Sequence, residues 1–121
     1  MTHDDFQDWL NRYIDAWRSG DPAAIGDLFS EDATYSYGPW RDPVVGRAAI
    51  VHDWTEHPDE PGSWEATYSP LAVDGDTAVS IGESHYADGK KYSNIFVCRF
   101  DGDGRCSDFR EWFMQPPKAK A

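Results

Sequence analysis

Five side chains of this sequence are candidates to move or steady a proton at one site: Tyr13, Glu83, His85, Asn94 and Glu111. A carboxyl held in an apolar cavity has its pKa raised by desolvation, so Glu111 could act as acid or base near neutrality. The structural alternative for it is an ion pair with Arg110, Arg99 or another cation. His85 titrates near physiological pH and suits a proton shuttle, or it is a satisfied core histidine. Asn94 could orient a substrate carbonyl or bridge two glutamates. Glu83 is a second acid or base, or a charge on the rim. Tyr13 could donate to a substrate oxygen, although packing alone explains its place on an apolar stripe. Trp17, Tyr37, Trp54 and Trp64 read as pocket wall, giving shape rather than chemistry.

Other chemistries lack their parts. His52, Asp53 and His57 share one helical stretch, but no His-x-x-x-His or equivalent carboxylate spacing faces one side, and no metal is expected. There is no Gly-rich phosphate loop, no Gly-x-Ser-x-Gly and no Cys-His nucleophile pair with an orienting partner. Nucleotide and acyl-transfer chemistry are therefore unsupported, and no cofactor is expected.

Elements must bring those residues together. Phe6, Trp9, Leu10, Tyr13, Ile14 and Trp17 recur at helical spacing, with Thr2 and Asp5 as a capping box and Gly20 as a left-handed stop. Asp21-Pro22 opens a second, short helix carrying Ile25, Leu28 and Phe29. Ala33 to Tyr37 reads as a short strand, 38–46 as a loop, and 47–57 as a third helix with Ile50, Val51 and Trp54 on one side. From Trp64 the texture changes to strands over about 64–73, 76–87, 91–100 and 105–115, parted by Asp-Gly turns at Asp74-Gly75, Asp88-Gly89 and Asp101 to Gly104. The expected fold is α+β: a cone-shaped, curved antiparallel sheet wrapped around three N-terminal helices, an α+β barrel. One domain, 1–116, is expected, with a disordered tail at 117–121.

If each hairpin turns through two residues, the facing positions follow. Asn94 then faces Glu111 and Glu83, His85 faces Tyr92 and Trp64, Phe96 faces Phe109, and Tyr92 faces Phe113. One face carries an apolar row (Tyr68, Ile81, Phe96, Phe109), a polar row (Ala66, Glu83, Asn94, Glu111) and an aromatic row (Trp64, His85, Tyr92, Phe113). The more apolar face should lie under the helices. Burying its polar row would cost several kcal/mol in a closed core, so a cavity is expected there. Opposed residues lie about 5 Å apart, which sets Asn94 between two carboxylates about 10 Å apart. Cys98 and Cys106 fall on opposite faces in this register. Ile95, Val97, Trp112 and Met114 form an apolar strip on the outer face, which suggests a C2 homodimer.

Composition narrows the partners. With 121 residues the chain suits one domain; aromatics make up 15%, including six tryptophans, more ring area than a solvated surface uses. A net charge of −11, from 22 acidic and 11 basic residues, repels phosphate backbones and anionic lipid, so neither nucleic acid nor membrane is an expected partner. No apolar run approaches the roughly 18 residues of a membrane helix. The acidic N-terminus is the opposite of a signal peptide's start, and two cysteines make no disulfide framework, which points to the cytoplasm.

The stretches Trp17-Arg18-Ser19-Gly20-Asp21, Leu28-Phe29-Ser30-Glu31-Asp32-Ala33-Thr34-Tyr35, Gly46-Arg47-Ala48-Ala49-Ile50, Tyr92-Ser93-Asn94-Ile95-Phe96 and Phe100-Asp101-Gly102-Asp103-Gly104-Arg105 carry a resemblance across nearly the whole chain. It resembles the nuclear transport factor 2-like superfamily in its SnoaL-like branch, which includes ketosteroid isomerases, dehydratases, epoxide hydrolases, polyketide cyclases and non-catalytic binding domains. The resemblance implies a conical pocket and places Tyr13 on the first-helix tyrosine of the ketosteroid isomerase oxyanion hole. The general-base aspartate of that family falls on Tyr37 and the oxyanion-hole aspartic acid on Phe96, two departures from a steroid isomerase mechanism. Arg110-Glu111-Trp112-Phe113-Met114-Gln115-Pro116 is similar to the end of SnoaL-like proteins, where a last-strand glutamate reaches the pocket.

The expectation is a cofactor-independent enzyme of isomerase, dehydratase or cyclase type acting on a hydrophobic, oxygenated small molecule. Glu111, His85, Asn94 and Tyr13 would be catalytic. Trp17, Tyr37, Trp54, Trp64, Glu83, Tyr92, Phe96, Phe109 and Phe113 would bind substrate. A binding protein with the same pocket, or a scaffold whose pocket is filled by its own side chains, are the alternatives.

Overall fold

Thr2 Oγ1 accepts from the Asp5 amide at 3.1 Å and Asp5 Oδ2 from the Thr2 amide at 2.9 Å, and this reciprocal cap starts helix α1, His3–Ser19. Gly20 ends it at φ 66°, in the left-handed region that its missing Cβ makes accessible. Asp21 caps α2, Pro22–Gly26, with Pro22 at its first turn. The computed structural model describes residues 1–56, 58–60 and 62–117. The expected tail therefore falls, at 118–121, outside the described residues, as does His57.

Six strands follow the two helices: β1 Phe29–Ser36, β2 Val44–Val45, then after α3 (Arg47–Glu56) β3 Trp64–Asp74, β4 Thr77–Tyr86, β5 Lys91–Phe100 and β6 Cys106–Met114. They form one curved, open sheet in the order β2-β1-β6-β5-β4-β3. The α+β class and the curved sheet are as expected. The sheet is mixed rather than wholly antiparallel, because β1 runs parallel to β6. Strand β1 also starts earlier than the expected Ala33. Phe29 pairs with Cys106 there, a contact that local alternation could not reveal.

Turn length decides what each strand shows the helices. Between β4 and β5 the turn spans three residues, Ala87 to Gly89: the Tyr86 amide donates to Lys90 O at 2.8 Å, and Gly89 sits at φ 93°. One residue more than a two-residue turn reverses the strand's faces. Between β3 and β4 the turn is Gly75-Asp76, with Asp74 opposite Thr77, and an irregularity between Pro70 and Ala72 shifts the pairing again. Both effects turn β4 over. Ser80, Gly82, Ser84 and Tyr86 take the inner positions, while Ile81, Glu83 and His85 face outward.

The last hairpin contains two departures that cancel. Asp101 donates to Arg105 O across a three-residue turn, and a further irregularity separates Arg99 from Phe100. The pairing moves by two residues, so Asn94 opposes Phe113 and Phe96 opposes Glu111, yet every inner residue stays inner. Cys98 and Cys106 are both buried, not on opposite faces, and burial with the neighbouring Cys106 pushes the Cys98 thiol up.

Inside the curve the packing is graded. At one end Phe6, Trp9, Phe29, Phe100 and Phe109 are fully or nearly fully buried around Ala78 and Cys98. Trp9 donates its indole N–H to Leu28 O at 3.1 Å, which satisfies the one polar atom of the cluster's largest ring. Toward the other end the same strands carry Asn94, Ser84 and Glu111, and the packing opens. Among the described residues no helix is long and apolar enough to cross a membrane.

Candidate functional site

The open end of the cone holds a cavity of about 310 Å³, lined by residues from α1, β1, α3 and β3 to β6. Its polar floor is a chain of three side chains on adjacent strands. Ser84 Oγ donates to Asn94 Oδ1 at 3.1 Å, and Asn94 Nδ2 donates to Glu111 Oε1 at 3.1 Å. Ser84 and Asn94 are buried, and Glu111 is partly buried. Among the described residues no cation lies within ion-pairing distance of Glu111, and Arg110 pairs instead with Asp108 at 3.0 Å on the other face.

Burial without a counter-charge penalises the carboxylate and pushes the Glu111 pKa up to about 7, against a smaller lowering by the Asn94 hydrogen bond. That value places both protonation states within reach at neutral pH. The carboxyl is ringed by phenols. Burial raises Tyr13, Tyr35, Tyr37 and Tyr68 well above the ordinary tyrosine range, and the Glu111 charge pushes each the same way. All four therefore keep their protons and remain donors at neutral pH.

Tyr13 and Tyr35 are buried with their hydroxyls 2.8 Å apart. Either can donate to the other, and whichever accepts retains its own proton for a third oxygen. Tyr37 donates to Asp53 on α3, which fixes its ring in the wall. At the mouth, Trp17 donates its indole N–H to Asp59 Oδ2 at 2.9 Å and stacks on Trp64 with ring centroids 3.5 Å apart.

Glu111, Asn94 and Tyr13 thus share one cavity, with Trp17, Tyr37, Trp54, Tyr92 and Phe113 in its lining. His85 and Glu83 do not reach it: they pair with each other on the outer face, His85 Nε2 to Glu83 Oε2 at 3.1 Å, because β4 is turned over. Trp64, Phe96 and Phe109 are buried behind the lining rather than in it. Sequence reasoning missed Tyr35, Ser84, Tyr68, Tyr86 and Asp59. Tyr35 and Tyr68 were findable, because each sits two residues from a ring already assigned to the wall (Tyr37) or four from one (Trp64). Ser84 and Tyr86 needed the correct turn length. Among the described residues no group of three or more metal-ligating side chains converges.

Residues 10–109 match the family model described as the SnoaL-like domain. A steroid Delta-isomerase of Nocardioides simplex is 35% identical over 104 residues, covering 84% of this chain and 84% of that protein. Among solved structures, an NTF-2 like protein of unknown function from Burkholderia xenovorans LB400 superposes with a TM-score of 0.76 at 20% identity, over 97% of this chain and 88% of that one. An NTF2-like protein of unknown function from Mesorhizobium loti gives 0.67 at 23% identity, over 93% of each chain. These structural likenesses concern the fold.

Proposed function

The chain belongs to the SnoaL-like domain family, and from that membership we propose that it is a cofactor-independent enzyme of isomerase type. Its substrate is a hydrophobic, oxygenated small molecule that fits a cavity near the lower end of ligand-pocket sizes. The observation that carries the reading is an unpaired carboxyl, poised at about 7, among phenols that stay protonated.

In this mechanism the Glu111 carboxylate removes a proton from the carbon that lies between the substrate carbonyl and a carbon–carbon double bond. Electrons from the broken C–H bond move onto the carbonyl oxygen, giving an enolate. The Tyr13–Tyr35 pair donates a hydrogen bond to that oxygen. Glu111, now protonated, returns the proton to a different carbon, and the double bond has moved. Asn94 holds Oε1 and leaves Oε2 for the transfer. Dehydration or cyclisation would use the same groups, with the proton delivered to a leaving hydroxyl or closing ring.

The steroid isomerase relative makes unsaturated ketones the first substrates to screen. Glu111→Gln keeps the shape and the Asn94 contact but cannot take the proton. Turnover should fall by about 10²- to 10⁴-fold, and unchanged turnover would remove Glu111 from the mechanism.

Tyr37 and Phe96, standing where the resemblance expects aspartates, favour a second reading: a protein that binds such a ligand without transforming it. Its signature is saturable binding, no product, and tolerance of Glu111→Gln. Either reading includes a C2 homodimer through the outer sheet face, supported by exposed Ile95, Trp112 and Met114. The buried free thiols of Cys98 and Cys106 are consistent with action in the reducing cytoplasm.

A further inference from the structure

The cavity has a chemically distinct mouth. Ring contacts run along it as an open collar: Trp17 meets Tyr86 at 6.4 Å, Tyr86 meets Tyr92 at 5.7 Å and Tyr92 meets Phe113 at 5.6 Å between centroids, with the buried Trp64 stacked behind Trp17 at 3.5 Å. Within this collar stands the exposed carboxylate of Asp59, fixed by the Trp17 indole N–H. Burial and the charge of Asp59, followed by that of Glu111, push the Tyr86 phenol up to about 12, so its hydroxyl lies in the field of both acids.

Among the described residues lining the cavity, the charged ones are Asp59 and Glu111, and both are acidic. The molecule as a whole adds a net charge of −11. An anionic ligand would enter against this field, and no cation in the lining would receive it. A cation gains twice, from the carboxylate and from the negative faces of the rings. Arg18, which is not in the lining, makes such a contact behind it, its guanidinium 5.3 Å from the centre of the buried Trp64 ring.

We infer that the mouth recognises an ammonium group on the ligand, held by Asp59 within the collar of Trp17, Tyr86 and Tyr92, while the ligand's apolar body extends toward Glu111. The inference rests on the proposed reading of the cavity as a small-molecule site and adds the charge class of what enters. A hydrophobic amine fits; a carboxylate, phosphate or thioester-linked nucleotide carrier does not.

Calorimetric titration with benzyltrimethylammonium, benzyl alcohol and phenylacetate separates the possibilities, because the three share one ring and differ in charge. The quaternary probe carries no proton, so its binding is not confused with proton release. It should bind roughly tenfold more tightly than the alcohol, weaken as salt rises, and leave phenylacetate without measurable binding. Asp59→Asn can still accept from Trp17, so the collar is kept; it should weaken the cation by roughly three- to tenfold and leave the alcohol unchanged. Tyr86→Leu should weaken the cation similarly, with an unchanged melting temperature excluding a folding defect. Equal binding of alcohol and cation, or an Asp59→Asn variant that binds the cation normally, overturns the inference while leaving the cavity reading intact. Failure of all three probes to bind overturns both.

Discussion

Glu111 makes this molecule's stability depend on pH in an unusual direction. A surface carboxylate with favourable partners is stabilised by being charged, but Glu111 is desolvated and lacks a cation, so its folded pKa is raised from 4.5 to about 7. Below 4.5 it is protonated in folded and unfolded chains alike, and no penalty applies. Between 4.5 and about 7 the folded state holds more protons than the unfolded chain, so stability falls as pH rises through that window. The loss reaches at most about 3 kcal/mol by linkage, less because the residue is only partly buried. Glu111→Gln lacks this term. The stability difference between variant and native protein, followed by urea unfolding from pH 4 to 8, should therefore grow in the variant's favour as pH rises. A difference that stays constant would mean that Glu111 is solvated in solution, and one that grows in the native protein's favour would mean that it is paired with a cation. The residue itself was legible in the sequence, since the cancelled errors of the last hairpin kept it inside. What alternation could not supply was its setting, because Asn94 reaches it diagonally rather than from directly opposite.

The strand whose orientation the sequence does not reveal, β4, is held in place by a close approach to β3. Its inner positions run Ala78, Ser80, Gly82, Ser84 and Tyr86, small and polar until the rim, so hydrophobic alternation gave no signal for its orientation. Ile81, with His85 and Glu83, made the wrong face look the richer. The physical determinants lie elsewhere, in the three-residue turn before β5 and in Gly82. A Cβ at Gly82 would lie 2.0 Å from Thr67 O and 2.5 Å from the Tyr68 ring. The absent side chain is what lets the Tyr68 ring approach β4 so closely and form part of the cavity wall. Gly82→Ala must displace the β3 backbone or push Tyr68 into the cavity, and should cost at least about 2 kcal/mol. Gly102, with open space around its Cβ position and no left-handed φ, is the control: Gly102→Ala should change stability by less than about 0.5 kcal/mol. Thermal or urea unfolding of the two variants checks this. Equal effects at the two sites would show that the β3–β4 contact yields easily.

At the scale of the whole molecule, turning β4 over strengthens the outer face that it impoverishes within. Ile81 now pairs across with Ile95, and Ile95 with Trp112, so one apolar row crosses three strands with exposures of 42%, 41% and 52%. Met114, 70% exposed, extends it, while Val97 from the expected strip is only partly exposed. We propose that this contiguous patch is a contact surface. Two copies related by a two-fold axis near Ile95 would lay the row against itself, the arrangement an isologous interface requires. The cavity opens on the opposite face of the sheet, so pairing leaves its mouth free. Each copy carries a net charge of −11, so repulsion opposes the pairing and raising salt should tighten it, as burial of apolar rows predicts and an ion-paired interface would not. Sedimentation equilibrium at micromolar concentration and physiological salt should therefore show a dimer that dissociates further at low salt. Ile95→Lys places a charge at the centre of the row without touching the inner face; it should give a monomer that keeps its probe binding. A native protein that sediments as a monomer under those conditions, or a lysine variant that still pairs, would mean that the row serves some other contact.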